Sequence, residues 1–374
     1  MKFIVKFLLF LLKVIILFPL SILFWIVVSV RNILYNWQIL PVHKVDAFVI
    51  SIGNLSTGGT GKTIMAEYLI RKLGGLGYRV AYLSRGYGRS TRGYLRVDPR
   101  LHSYKDVGDE ALQVANRFSD VAVVVCEDRV QGARRLLQEQ PDTEVIVLDD
   151  AFQHRRIHRD LELVMTDYNK LPWKQWMLPL GRQRDPLWTL RRADLVIVSK
   201  ITHSEQAHRL ASWLHRRGLS SLFVYTGLKP TSLYRILPEP EQVPVSEMLQ
   251  QGAIVFSGLG NNQQFFRFAG EAGLLVNSTF SFPDHYAYRQ DDLDRIVKKY
   301  DKVQAASFLR KPPIILTSEK DYHRLKNQPW FWEHYAHYPF YYLSVSLSFV
   351  RNKDRLNDLL VKKLPRHSHE PHTV

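Results

Sequence analysis

The chain has 374 residues, of which 46% are hydrophobic, and a formal net charge of +16. This length suggests two domains of ordinary size, and the apolar content supports a sizeable core, which excludes a disordered or fibrous chain. The single cysteine, Cys126, excludes a disulfide framework and fits a reducing compartment.

The excess of positive charge favours anionic partners: a membrane surface, nucleic acid or a phosphorylated ligand. The basic residues are scattered among Trp, Tyr and apolar segments, without an RNA- or DNA-binding module. No nucleic-acid partner is therefore expected, and a membrane with a phosphorylated ligand fits better. No stable protein partner is inferred.

Residues 3–30 are almost wholly apolar, broken by Lys6 and Lys13. The uncharged stretch 14–30 is near the lower limit for a span of about 17–25 residues. Residues 7–12 lengthen it if Lys13 snorkels. A cleaved signal peptide would have an apolar region of roughly 7–15 residues and a small-residue cleavage site. Here the run leads into Arg31, Asn32, Tyr35 and Trp37, which read as interfacial anchors. Residues 1–35 are thus expected to form a retained membrane helix. Lys2, Lys6 and Lys13 compete with Arg31 for the inner side, so spanning the bilayer and lying in one leaflet both remain open.

After a linker, a strand over 47–52 leads through a Gly-rich loop to a helix over about 62–73. Strands are predicted over 79–83, 121–126, 144–148, 161–165, 195–199 and 222–225, with helices over 109–118 and 129–140. Continuous Val/Ile-rich strands alternating with helices point to an α/β fold with a P-loop NTPase-like, mostly parallel sheet over 36–236. The Pro-rich stretch 237–245 reads as a linker. Beyond it, strands at 253–256, 274–280, 314–317 and 341–347, with helices near 263–272 and 291–300, predict a second, smaller α/β lobe over 237–364. Residues 365–374 read as a disordered tail, with metal binding by His367, His369 and His372 as the alternative.

Ser56-Thr57-Gly58-Gly59-Thr60-Gly61-Lys62-Thr63 lies between the first strand and helix. In such a loop backbone N–H groups cradle phosphate, Lys62 reaches the β- and γ-phosphates of ATP, and the Thr63 hydroxyl ligates Mg2+. Ser56 replaces the usual first glycine. The apolar strand ending in Asp149-Asp150 has the form of a Walker-B-type metal site; as a plain turn the pair would need no metal. The basic run from His154 to Arg159 either binds phosphate groups or is a solvated loop. Lys200 and the Lys320-Asp321 pair either approach the nucleotide or form structural ion pairs.

The ordered motifs SIGNLSTGGTGKT (51–63), SRGYGR (84–89), VGDEA (107–111), EDR (127–129), LDDAFQHRR (148–156), LPLGRQRDP (178–186), ADLVIVSK (193–200), FSGLGNNQQFF (256–266), FPDHYAY (282–288) and TSEKD (317–321) resemble the tetraacyldisaccharide 4′-kinase family. Ala111 and Ile64 stand where that family commonly has proline. The resemblance implies two α/β lobes with ATP between them. It also implies γ-phosphoryl transfer to the 4′-hydroxyl of tetraacyldisaccharide 1-phosphate, the lipid A precursor, giving lipid IV-A at the cytoplasmic face of a bacterial inner membrane. It implies catalytic roles for Asp109 and His285 beside Lys62, metal roles for Asp149 and Asp150, and acceptor-facing positions for Arg85, Tyr87, Arg129, Gln153 and His154. Without it, Asp109 reads sooner as a helix N-cap or first-turn acid and His285 as a loop histidine. A membrane-associated P-loop ATPase switch of the partitioning type is the rival, since it shares the loop and the acidic strand.

Overall fold

The computed structural model describes residues 2–219, 222–284, 286–306 and 311–365. Position 285 and the segment 366–374 lie outside the described residues. The structure opens with α1 (Lys2–Asn36), whose Val14–Asn36 portion is long and apolar enough to cross a membrane. Its polarity is reversed relative to a helix covering a soluble core. Ser21, Ser29 and Asn32 face the protein, whereas Ile15, Ile16, Leu23, Trp25 and Val27 are exposed.

The first half of the body comprises β1 (Phe48–Asn54), α2 (Lys62–Gly75), β2 (Val80–Ser84), β3 (Leu95–Arg96), α3 (Tyr104–Val107), α4 (Asp109–Arg117), β4 (Ala122–Val125), α5 (Arg129–Glu139), β5 (Val145–Asp149), β6 (Leu161–Asp167), β7 (Leu195–Ser199) and α6 (Ser204–His215). Strands β7-β6-β1-β5-β2-β4 pair in parallel in that order. Their Val/Ile/Leu runs are buried throughout because helices cover both faces of the sheet. The carboxyl ends of β1 and β5 are neighbours, so the Gly-rich loop and Asp149 share one edge of the sheet.

The chain then runs through β8 (Phe223–Arg235), β9 (Glu241–Val243), β10 (Gly252–Ser257), α7 (Asn262–Glu271), β11 (Leu275–Ser281), α8 (Gln290–Ala305), β12 (Ile314–Ser318), α9 (Glu319–Leu325), α10 (Pro329–Tyr335), β13 (Phe340–Arg351) and α11 (Lys353–Lys363). β8 is far longer than the strand expected at 222–225. Its beginning pairs in parallel with β7, and from Tyr225 to Arg235 it lies antiparallel to β13. These two strands carry the sheet into a second parallel set, β11-β10-β12-β13.

The linker expected at 237–245 contains β9, paired with the end of β8. Pro240 and Pro244 flank three residues that keep their N–H donors, which is just enough for a short edge strand. After β13 the chain returns to the first half. Leu356 and Leu360 of α11 are buried in the same core as Ile50, Met65 and Val147, so core membership and chain order part there.

Candidate active site at the ends of the parallel strands

The Gly-rich loop leaves β1 at Asn54 and enters α2 at Lys62. Gly58 and Gly61 hold φ values of 113° and 87°, in the left-handed region that side chains rarely adopt. A Cβ on Gly58 or Gly59 would meet only open space, so the backbone there is free to approach a ligand. From below, the loop is braced: Asn54 Nδ2 donates to Thr60 Oγ1 at 3.2 Å, and Ser199 Oγ at the end of β7 lies 2.7 Å from the Thr60 carbonyl oxygen. From the side, Thr57 N donates to Arg182 O at 2.8 Å, and Arg184 N to Leu55 O at 2.6 Å.

Lys62 begins α2, and its Nζ lies 3.4 Å from Asp150 Oδ1. Asp150 also receives both terminal nitrogens of Arg184, at 3.2 and 3.3 Å. Burial opposes the Asp150 charge, but Lys62 and Arg184 outweigh it and hold its carboxyl below the usual range. Its neighbour behaves oppositely. Burial, then the charge of Glu110, pushes Asp149 up to about 6, although Tyr82 donates a 2.7 Å hydrogen bond to it. Adjacent carboxylates driven apart in acidity are the environment in which two like groups take different tasks.

These oxygens fit a nucleotide-bound Mg2+. Among the described residues no cluster of three or more His, Cys, Asp or Glu side chains forms a metal cage. Mg2+ carried on phosphates needs only one or two protein oxygens, and Asp149, Asp150 and the Thr63 hydroxyl in the first turn of α2 are of the right kind.

Asp109 is the first residue of α4, and Gly108 is its N-cap, with φ 86° and a pseudo-Cβ position only 2.9 Å from Tyr87 O. Asp109 does not fill the capping position. Its Oδ2 accepts a 2.6 Å hydrogen bond from Arg324 of α9, in the other half of the molecule. The next residue, Glu110, lies 3.9 Å from Lys320 of the same helix and acts on Asp149, so the start of α4 faces both the strand end and α9. Of the expected catalytic pair, Asp109 is thus placed between the two halves, while His285 lies outside the described residues. The preceding FPD residues sit beside the Gly258–Gly260 turn, where pseudo-Cβ atoms would lie 3.2 Å from Pro283 O and 3.0 Å from Asp284 Oδ2.

The five expected acceptor-facing residues divide in two. Arg85 and Tyr87, on the loop after β2, are exposed. Arg129 is buried and donates to the carbonyl oxygens of Cys126 and Glu127 at 3.2 and 3.0 Å. Gln153 donates to Asn54 O at 2.9 Å and to Asp185 Oδ2 at 2.7 Å, and its own carbonyl oxygen accepts from Arg31 of α1. His154 Nε2 accepts from Arg129 N at 3.3 Å; burial, then Arg129, pushes its imidazole down to about 4, so it is neutral at pH 7. The basic run is tied down internally: Arg156 to Asp128, Arg159 to Glu162, and Arg155 to Asn32 and Asn36. Lys200 pairs with Asp167 at 2.8 Å.

Tyr82, Arg184 and Arg324 were not singled out from the sequence. Arg184 lay inside a recognised motif, but its partner Asp150 is far away in the chain. Tyr82 reads as an ordinary buried strand aromatic, and Arg324 as a surface helix cation.

A glycine-rich loop opening onto free space, a helix-first lysine and strand-end carboxylates of opposed acidity define a P-loop, nucleoside-triphosphate-using protein. The family model for "Tetraacyldisaccharide-1-P 4'-kinase" matches residues 13–365. The tetraacyldisaccharide 4′-kinase of Chlorobaculum parvum is 34% identical over 351 residues, covering 92% of this chain and 94% of the relative. That of Parabacteroides distasonis is 33% identical over 368 residues, covering 92% and 93%. The crystal structure of LpxK from Aquifex aeolicus in complex with ATP superposes with a TM-score of 0.71 at 29% identity, covering 93% of this chain and 98% of that one. The chain belongs to the tetraacyldisaccharide-1-phosphate 4′-kinase family, and it is an ATP-dependent kinase.

Proposed function

We propose that the protein transfers the γ-phosphoryl group of ATP to the 4′-hydroxyl of tetraacyldisaccharide 1-phosphate, giving lipid IV-A. The observation that carries this reading is the Lys62–Asp150–Arg184 arrangement at the mouth of the Gly-rich loop, in a chain matched to this family over residues 13–365. Residues Ser56 to Thr63 hold the triphosphate, with the Gly58 and Gly59 backbone closest to it. Bound Mg2+, held by Thr63 with Asp149 and Asp150, would neutralise charge on the phosphate oxygens. Asp109, with His285, takes the proton of the sugar hydroxyl as the new P–O bond forms. Arg85 and Tyr87 are exposed where an acceptor would approach; Arg129, Gln153 and His154 support that surface from within.

Residues 36–236 and 237–364 act as two lobes joined through β8 and β13, with α11 strapping the chain end to the first. The exposed apolar flank of α1 embeds in the bacterial inner membrane, the lobes facing the cytoplasm, where ATP is supplied; the buried free thiol of Cys126 fits that side. Incubation with γ-labelled ATP and the disaccharide 1-phosphate in mixed micelles tests the reaction. Label must appear in the lipid, at the 4′ position. Acceptor-independent release of phosphate, with no labelled lipid, would instead indicate the ATPase switch.

A further inference from the structure

Arg324 makes three contacts that together join the halves of the molecule. Nη2 reaches Asp109 Oδ2 at 2.6 Å, and Nη1 reaches Asp321 Oδ1 at 3.0 Å and Gly258 O at 3.1 Å. Its side chain is 3% exposed, that of Asp109 10% and that of Asp321 0%. Burial opposes the guanidinium charge, but Asp109 and then Asp321 outweigh it and leave Arg324 above its ordinary range. Asp321 is held in turn by Gly258 N at 3.0 Å and the Ser318 hydroxyl at 2.6 Å. The guanidinium is thereby fixed in the second half, by α9 and by the Gly258 turn that packs beside Pro283, while Nη2 grips the start of α4 in the first.

We propose that Arg324 is a positioning residue for the phosphoryl transfer: it keeps the Asp109 carboxylate ionised and aimed, and does so only while the two halves are in register. The inference rests on Asp109 being the proton acceptor. An acceptor must be ionised to act, and a guanidinium within hydrogen-bond distance favours the charged carboxylate by roughly one to three pH units. A fork-shaped cation shared between two carboxylates and a carbonyl also fixes direction, which the single point charge of lysine does not. Because Arg324 belongs to α9, displacement of the second half removes the cation from Asp109, so opening of the halves would itself switch the acceptor off.

The test uses the full-length enzyme in mixed micelles, with kcat and both KM values measured from pH 5 to 9. For Arg324→Met, kcat at pH 7 should fall about 10- to 1000-fold, with KM for ATP within about threefold. The acidic limb of the kcat profile should move up by about one unit or more, because the carboxylate loses the cation that favoured its charge. Arg324→Lys should restore the limb but not the full rate. Asp321→Asn should move the limb the opposite way, since one carboxylate competing with Asp109 for the guanidinium is then gone; this variant decides the matter if Arg324→Met fails to fold. A folded Arg324→Met enzyme with an unmoved limb, or an Asp321→Asn limb displaced upward, overturns the proposal. Full activity in Asp109→Asn would overturn the underlying assignment instead, whereas an inactive Asp109→Asn beside an unaltered Arg324→Met would spare it.

Discussion

Lys62 and Asp150 are held 3.4 Å apart across the mouth of the Gly-rich loop, with only 14% of the lysine side chain exposed. The lysine is thus pre-aimed by the strand-end carboxylate before any phosphate arrives, which lowers the ordering cost of binding. Lys62→Ala leaves Asp150 its contacts with Arg184, so the fold should survive. Phosphoryl transfer should drop by about 100-fold or more, the scale seen when one charge-stabilising donor is removed. Steady-state rates alongside a thermal melt check this; near wild-type turnover in a folded variant would refute the role.

Asp149 and Asp150 should separate by pH. Burial and the charge of Glu110 push Asp149 up to about 6, so a fall in pH through that range neutralises it before Asp150. The Mg2+ concentration for half-maximal rate should therefore rise as pH falls through about 6. Tyr82→Phe removes the hydrogen bond that favours the Asp149 charge, so it should shift this rise to higher pH. Asp150→Asn, whose backbone sits at φ 49°, is the gentlest replacement there because Asn tolerates that region. It should also raise the Mg2+ concentration for half-maximal rate. Mg2+ titrations at several pH values decide; identical curves for all variants would leave both carboxylates as turn formers.

The parts of the site legible in the sequence were those in which chemistry and local order coincide. The Gly-rich loop, the acidic strand end and the parallel sheet follow from contiguous residues, and the structure has each where expected. The long β8–β13 pair was not legible, because many of its residues, such as the exposed Lys229 and Thr231, are not buried and give no continuous apolar run. The inward turn of Arg129 and Gln153 was hidden for another reason. Arg129 folds back onto the carbonyls of Cys126 and Glu127 just before it, and Gln153 reaches Asn54 and Asp185 of distant segments; residue type alone announces neither contact.

A second contact between the two halves of the chain predicts how stability depends on pH. Arg117 of α4 ion-pairs with both Glu67 of α2 and Glu319 of α9, and donates to the Ser344 hydroxyl of β13 at 2.6 Å. Burial outweighs Arg117 and pushes Glu67 up to about 7. A carboxyl raised on folding contributes stability below its unfolded value of about 4.5, and that contribution is lost as pH rises through about 7. Glu67→Gln should accordingly remove a pH-dependent loss on the order of 3 kcal/mol between pH 5 and 8. Denaturant melts of both proteins across that range measure it; parallel curves would mean Glu67 does not titrate there.

The N-terminal helix α1 should matter beyond an anchoring role. Ser21 lies 3.1 Å from Met177 O and accepts from Leu180 N at 2.9 Å, and Phe18 packs edge-on against Trp176. These contacts brace the segment that continues to Arg184. Deleting residues 1–30 should raise KM for the lipid, as loss of an anchor would, and also lower kcat. Ser21→Ala, which keeps the apolar flank, should leave membrane binding unchanged while lowering kcat a few-fold. Vesicle co-sedimentation and kinetics separate the two effects; a truncation that alters neither constant would deny α1 any part in substrate capture.

The last prediction concerns Asp109 and His285. Asp109 already sits at the junction of the halves, and the residues before His285 line the Gly258–Gly260 turn whose carbonyl Arg324 holds. If closure brings the histidine to the same hydroxyl, the two side chains handle one proton between them, and neither works well alone. Asp109→Asn and His285→Ala should each lower kcat by about 100- to 10,000-fold. ATP affinity should stay within a small factor, because neither residue belongs to the Gly-rich loop. Residues acting as a unit give strongly non-additive losses, so the double variant should be little slower than the slower single one. A cycle of the four enzymes at saturating ATP and lipid measures the coupling. Additive free-energy losses would show two independent roles, and loss of ATP binding in Asp109→Asn would move that residue to the nucleotide site.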